Sequence, residues 1–372
     1  MPARRKPYDK HSPDVMIFLV TLALLSLGVV MVFSASSVSA YEIFRDTYYF
    51  IKRQLAWAVV GLAAMCVAME IDYRVWKKLA WPALLLSLVL LVAVLIPGVG
   101  VMIRGSRRWL GVGSLTFQPS EVAKIVMVFF MASFLSDRSA RIHRFVEGLL
   151  PPLVVLGVVF GLIMLEPDLG TAGTIVGITV LMLFAAGASM SHLAALGATG
   201  IPALVAAAMA APYRVRRFLA FLHPWEDPLG SGFHIIQSLL ALGSGGLFGV
   251  GLGRSRQKFL YLPMQHTDFI FAIIGEELGF VGATAVVMLY FLLAWRGLRV
   301  AIGAPDSFGS LLAVGITTMI VFQAAMNIGV VSGTLPITGI TLPLISFGGS
   351  SLVTTLAAIG VLLNISKYSS TR

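Results

Sequence analysis

The chain has 372 residues, of which 58% are hydrophobic and only 12% charged; its mean hydropathy is +0.91 and its formal net charge +10. No soluble globular chain of this length carries such a composition, so a water-soluble fold is excluded and an integral membrane protein is indicated. The single cysteine, Cys66, excludes a disulfide framework and a Cys-based metal site.

Apolar stretches of the roughly 17–25 residues that cross a bilayer fall at 15–34, 54–69, 79–97, 119–136, 149–165, 170–187, 191–211, 269–294, 308–331 and 343–365. The predicted fold is an all-α polytopic membrane protein. A single domain over 1–372 forms a bundle of about ten transmembrane helices, with both termini on one side. Arg4, Arg5, Lys6 and Lys10 precede the first span with no small-residue cleavage site. Residues 1–14 therefore read as a retained cytoplasmic tail, and the first helix exits outward.

This topology places fourteen Lys and Arg inside and twelve outside, with Lys124 within a span. The positive-inside rule expects a stronger bias. The outer cations cluster as Arg45, Lys52 and Arg53; Arg104, Arg107 and Arg108; Arg214, Arg216 and Arg217; and Arg254, Arg256 and Lys258. They serve either a specific anion, since guanidinium forks fit phosphate oxygens, or general contact with anionic lipid. The six histidines show no HxxxH or HExxH spacing.

Residues 212–266 form the longest outward loop, predicted to carry short interfacial or re-entrant helices over the mouth of the bundle. Its glycine run, Gly243 to Gly253, matches neither GxGxxG nor GxxxxGK[ST]. It reads either as a place where backbone approaches a ligand or a helix closely, or as a flexible connector.

Four further segments carry polar groups into apolar surroundings. Glu121 and Lys124 share one helical face, as a structural ion pair or as part of a polar pocket. In the turn Glu166-Pro-Asp-Leu-Gly-Thr171, the two carboxylates are placed to cap the next helix, to face the same pocket as Asp268 or to hold a divalent cation beside it, with capping expected of Asp168. The apolar run 332–351 is broken by Pro336, Gly339, Pro343, Gly348 and Gly349; broken backbone at membrane depth lines protein or a wet cavity. Asp268, Glu276 and Glu277 ride on a membrane helix, where a carboxylate is costly and tends to be functional. Asp268 either follows a Thr267 cap or does chemistry. Glu276 lies about 12 Å along the helix and about 80° round from it, too far for a paired-carboxylate centre.

Taken in order, Arg107-Arg-Trp109, Gln118-Pro-Ser-Glu-Val-Ala-Lys124, Glu166-Pro-Asp-Leu-Gly170, His223-Pro224, Gln237-Ser238 with Gly243-Ser-Gly-Gly246, His266-Thr-Asp-Phe-Ile-Phe271, Gly275-Glu-Glu-Leu-Gly279 and Pro343-Leu-Ile-Ser-Phe-Gly-Gly349 resemble the SEDS family. These are the shape, elongation, division and sporulation proteins, and the resemblance covers nearly the whole chain. The opening Pro7 to Asp14, Val32-Phe-Ser-Ala-Ser36 and Leu363 to Tyr368 look closer to the division and sporulation branch. Many family members carry Leu-Pro-Glu before the His-Thr-Asp block, where this chain has Leu262-Pro-Met264-Gln265.

The resemblance implies a ten-helix peptidoglycan glycosyltransferase of the bacterial cytoplasmic membrane. Such an enzyme polymerises lipid II, the lipid-linked disaccharide-pentapeptide, on the outer face and releases undecaprenyl diphosphate. It also implies that Asp268 is the essential aspartate, acting as base toward a sugar hydroxyl. Substrate-binding or pocket positions expected around it are Glu121, Lys124, Asp168, Arg107, Arg108, Arg214, Arg216, Arg217, Gln237, Gly245, Gly246, His266, Thr267, Glu276, Ser346 and Ser350. A divalent cation, Mg or Mn, is an expected companion of the diphosphate. The expected protein partner is a single-span class B penicillin-binding protein, a transpeptidase; no nucleic-acid partner is expected. The competing readings are a lipid II flippase, since broken helices and intramembrane charge also suit transport, and a non-catalytic scaffold of a wall-synthesis complex.

Overall fold

The computed structural model describes residues 11–103, 105–112, 115–209, 212–258 and 263–370. Arg4, Arg5, Lys6, Lys10, Arg104 and Leu262 lie outside them. Twelve helices follow in chain order: α1 (Val15–Phe44), α2 (Tyr49–Glu70), α3 (Tyr73–Leu95), α4 (Pro119–Asp137), α5 (Leu150–Leu165), α6 (Leu169–Ala185), α7 (Met190–Met209), α8 (Pro212–Leu222), α9 (Phe233–Ser244), α10 (Ile270–Gly303), α11 (Ser307–Val331) and α12 (Gly349–Ser366).

Each of the ten apolar stretches coincides with one of these helices, α8 and α9 being the two additions. Among the described residues, eight helices are long and apolar enough to cross a membrane, α5 counting together with the π-helical turn Phe145–Leu149 that precedes it; α6, with 17 residues, is shorter. Local chemistry explains the helix starts. Asp14, Asp72, Asp168 and Asp306 each accept a backbone N–H from the first turn of α1, α3, α6 and α11, respectively. Pro119 opens α4, where its missing N–H costs nothing.

Packing sorts the helices by depth. α4 is buried on nearly every face, between α3, α6 and α11. α12 packs along α2, and α10 along α11 and α1. By contrast, α2 and α3 turn Val59, Val67, Leu85, Leu86 and Val89 outward. In a lipid-embedded chain these side chains are in their preferred solvent.

The helical prediction omitted a small sheet. Between α3 and α4, strands β1 (Gly100–Ile103), β2 (Ser106–Val112) and β3 (Leu115–Phe117) pair antiparallel in the order β1-β2-β3. The register sets Gly100 opposite Leu110 and Leu110 opposite Phe117. The strands are too short to produce a clear alternation. Gly105, at a φ of 79°, makes the reversal between β1 and β2.

At the far end of α10 from Asp268, the two chain ends are bound together. Arg296 pairs with Asp14, the backbone N–H of Asp14 donates to Ser366 Oγ (2.9 Å), and His11 N–H donates to Lys367 O (2.8 Å). A cavity of about 250 Å³ lies there, lined in part by Asp14, Arg296, Ser366 and Ser369.

Candidate active site around Asp268

Two segments without regular structure meet inside the bundle: residues 263–269, ahead of α10, and 332–348, between α11 and α12. Side chains of the neighbouring elements hold them together. The Asn327 amide on α11 donates to Asp268 O (2.8 Å) and to Ile340 O (2.7 Å). Ser346 Oγ donates to Thr267 O (2.6 Å) and accepts from Leu342 N (2.8 Å), while Phe347 N donates to His266 O (2.9 Å). Met264 and Leu344 adopt left-handed φ values of 57° and 67°. Non-glycine residues hold such a conformation only where their surroundings impose it, commonly at functional sites.

Asp268 sits in this junction, half-buried. Helix α10 starts at Ile270 with Phe269 in the cap position, so Thr267 is not its cap residue. The Thr267 hydroxyl donates instead to Met264 O (3.2 Å). Gly339, at a φ of 75°, lies against the Asp268 carboxylate; a Cβ there would be 3.6 Å from Oδ2. The His266 ring packs between Phe50 and Phe347.

A buried polar chain supports the junction from behind. Lys124 Nζ lies 2.8 Å from Glu121 Oε2 and donates to Gln323 Oε1 (2.5 Å), and Gln323 Nε2 donates to Thr341 O (2.9 Å). Both members of the ion pair are buried. The pair is thus linked to Thr341, in the 332–348 segment, through Gln323. Ser350 Oγ accepts from Gln118 N (3.1 Å), joining the start of α12 to that of α4.

Asp168 caps α6, accepting from Thr171 N (3.1 Å) and Thr171 Oγ1 (3.0 Å), with Gln118 Nε2 at 3.3 Å. Arg108 on β2 straps the same turn. Its Nε and Nη2 donate to Glu166 O (2.8 Å) and Pro167 O (2.5 Å), and its Nη1 lies 3.7 Å from Asp168 Oδ2. Arg107 is half-buried beside it.

Glu276 and the glycines take part in contacts between α10 and the segment that follows α9. Ser255 Oγ and Arg256 N donate to Glu276 (2.5 and 2.8 Å). Ser34 Oγ lies 2.7 Å from both oxygens of Glu277, and Lys258 Nζ lies 3.5 Å from one of them. The carbonyls of Glu276 and Glu277 accept from Val250 N and Gly251 N, and Gly246 O accepts from Phe280 N. A Cβ at Gly245 would sit 1.9 Å from Gly275 O. The run from Gly245 to Lys258 is thus fastened onto α10 at its Gly279 break, where φ is 69°. We expect Gly245→Ala to lower stability by about 1–3 kcal/mol through overpacking, checked by thermal melting in detergent; an unchanged midpoint would refute this packing role.

Arg214, Arg216 and Arg217 ride on α8, with the latter two exposed, and Gln237 lies half-buried on α9. Unremarked in the sequence, His234 on α9 stacks on Phe269, with ring centroids 5.8 Å apart. No three His, Cys, Asp or Glu side chains converge among the described residues. Asp168 spends its oxygens on Thr171, Gln118 and Arg108, so this donor set does not build a metal cage.

The family model for the FtsW, RodA and SpoVE proteins, described as "Cell cycle protein", matches residues 14–371. The chain belongs to this family. It is 52% identical over 360 residues to Stage V sporulation protein E of Bacillus subtilis, covering 97% of this chain and 98% of that one. It is 45% identical over 362 residues to the probable peptidoglycan glycosyltransferase FtsW of Trichlorobacter lovleyi, covering 97% and 95%. Among solved structures it resembles the rod shape determining protein RodA of Thermus thermophilus (TM-score 0.72, 31% identity, 97% and 98% covered). It also resembles a chain in a structure described as "Structural coordination of polymerization and crosslinking by a peptidoglycan synthase complex" (TM-score 0.79, 34% identity, 96% and 98% covered).

In this FtsW/RodA/SpoVE-family chain, Gln265 stands just ahead of the His-Thr-Asp block. Its Nε2 lies within hydrogen-bond distance of Ala35 O (2.9 Å), Ser39 Oγ (2.8 Å) and Lys258 O (3.0 Å). An uncharged amide there ties the Asp268 segment to α1.

Glu166 is fully buried, and neither carboxylate oxygen has a hydrogen-bond partner. Burial first, and then the negative charge of Asp168, push its pKa up to about 8, with Arg108 opposing. The folded state holds this proton to about pH 8, whereas the unfolded chain releases it near 4.5. The group's contribution to stability is therefore full below 4.5 and lost as pH rises through 8. The melting temperature is expected to fall between about pH 5 and 8 and to level off above that, and Glu166→Gln to flatten the fall; parallel curves would refute it.

Proposed function

We propose that this chain is a peptidoglycan glycosyltransferase that polymerises lipid II into glycan strands and releases undecaprenyl diphosphate, for division or sporulation wall synthesis. The observation that carries the reading is the half-buried Asp268 carboxylate, set in a strained junction between helices. Its backbone carbonyl is pinned by Asn327. A carboxylate presented in this way suits a general base.

In the proposed reaction, Asp268 accepts the proton of the attacking sugar hydroxyl as that oxygen bonds to the anomeric carbon of the donor. The bond from that carbon to the diphosphate oxygen breaks, and the lipid diphosphate leaves with the electron pair. The displacement inverts the anomeric centre and needs no covalent glycosyl-enzyme. Negative charge builds on the leaving diphosphate, for which Arg214, Arg216 and Arg217 are the proposed counter-charges. Arg107 is proposed to stand at the rim, and Arg108 to shape the pocket by holding the 166–168 turn. A Mg or Mn ion is proposed to come with the diphosphate, where its contribution would be to offset phosphate charge.

We place the site on the outer face of the bacterial cytoplasmic membrane with both termini cytoplasmic. As partner we propose a class B penicillin-binding protein, which would crosslink the new strand. The test is polymerisation of lipid II by the purified chain with its cognate transpeptidase, with glycan products resolved on a gel. Glycan ladders support the reading. Their absence from well-folded protein, across partners and divalent cations, would overturn it in favour of transport or scaffolding.

A further inference from the structure

His234 belongs to none of the networks described above. It lies on α9, its ring close to parallel with that of Phe269 (24° between planes), the residue next to Asp268. No described residue hydrogen-bonds either ring nitrogen. Nδ1 is buried, which leaves Nε2 as the accessible nitrogen. A ring held in place by stacking, with one unused N–H at an open edge, is a preformed donor at the rim of the Asp268 junction.

The charged surroundings select the ligand. Burial, and after it the Arg217 guanidinium of α8, push the imidazole pKa below the ordinary 6.5, so the ring is neutral at pH 7. Arg217 is the charged group that acts on His234 among the described residues. A neutral donor beside a guanidinium makes a two-point binder for an oxygen anion. A sugar hydroxyl carries no charge for the guanidinium and a carboxylate offers only two oxygens, whereas a diphosphate offers several anionic oxygens to the pair.

We propose that His234 contacts the substrate, donating its Nε2–H to a diphosphate oxygen of the lipid-linked donor while Arg217 supplies the charge beside it. The proposal rests on the glycosyltransferase reading and adds the residue that grips the leaving group. It carries a sign for pH. An anion bound at Nε2 favours the protonated ring, so the bound pKa exceeds the free one and affinity rises as pH falls toward 5.5.

The test uses the full chain in detergent with its transpeptidase. His234→Phe keeps an aromatic ring to stack on Phe269 and removes the donor. We expect it to raise KM for lipid II about tenfold, the weight of one lost hydrogen bond to an anion. kcat should stay within about threefold and melting should be unchanged. Wild-type KM should fall between pH 7.5 and 5.5, and that of the variant should stay flat. An unaltered KM and pH profile, or a lower melting temperature with unaltered KM, would overturn the proposal and leave His234 a packing residue.

Direct binding of undecaprenyl diphosphate, with inorganic diphosphate as control, separates the two readings. If the wild type makes no glycan yet binds the lipid diphosphate about tenfold more tightly than His234→Phe, the polymerase reading falls and this contact stands. Equal binding by both proteins overturns the contact, whatever the polymerase assay shows. Tighter binding of the lipid form than of inorganic diphosphate assigns the site to a lipid-linked ligand. Equal binding of the two overturns the lipid-linked assignment.

Discussion

Asp268→Asn should leave a folded protein that polymerises lipid II about 10²–10⁴-fold more slowly, the usual loss when a general base is removed. The variant is informative because of how the residue is held. Asn327 donates to the backbone carbonyl of residue 268, and Ser346 to that of residue 267. Neither contact uses the carboxylate, so an isosteric amide leaves both in place while removing the basicity. Gly339 already lies close to Oδ2, and Asn has the same volume. Initial rates at saturating lipid II, compared at equal folded protein, decide the matter. Retention of more than a tenth of the wild-type rate would remove Asp268 from the role of base. Growth supported by Asp268→Asn at normal protein level would favour the scaffold reading.

Lys258→Met should destabilise the folded chain by about 3–5 kcal/mol, the cost of removing one partner from a buried ion pair. Glu276 and Glu277 are both about 1% exposed, and Lys258 is the cation paired with Glu277 among the described residues. Without it, Glu277 keeps Ser34 and the Ser255 N–H but faces the charge of its neighbour uncompensated. The 245–258 run would then detach from α10, taking with it the Lys258 carbonyl near Gln265 Nε2. Adding Glu277→Gln removes the stranded charge and should recover most of the lost stability. Melting temperatures of the two single variants and the double variant in one detergent test this directly. Loss in the double variant equal to the sum of the single losses would show that the two groups do not interact.

These two experiments probe different layers of the same region. Asp268 is the group at which chemistry is proposed. The Glu276, Glu277 and Lys258 cluster sets where the loop over it begins. Phe269, on which His234 stacks, connects the loop helices to that layer.

Most of the helical framework was legible in the chain itself. Long apolar runs have one stable backbone solution in a bilayer, because every peptide group must be satisfied within its own segment. The runs at 119–136 and 308–331 became α4 and α11 with ends shifted by a single residue. The run at 343–365 became α12 only from Gly349 onward. Apolar composition there marked depth, whereas Pro343, Gly348 and Gly349 set where the helix begins. The strands at 100–117 escaped because each is only a few residues long, and pairing between them is a non-local choice.

The carboxylates show the same division. Sequence alone determined that Asp168, Asp268, Glu276 and Glu277 sit in or beside apolar segments, which is costly and therefore demands a reason. It could not assign the reasons, because spacing along one helix says nothing of what another helix brings. Tertiary structure made Asp168 a helix cap strapped by Arg108, and turned Glu276 and Glu277 toward Ser255, Ser34 and Lys258. It left Glu166 buried without a hydrogen-bond partner and brought His234 onto Phe269 across 35 positions of chain. Burial and partner choice depend on residues far apart in sequence, so only the packed bundle decides which charge is structural and which is set for chemistry.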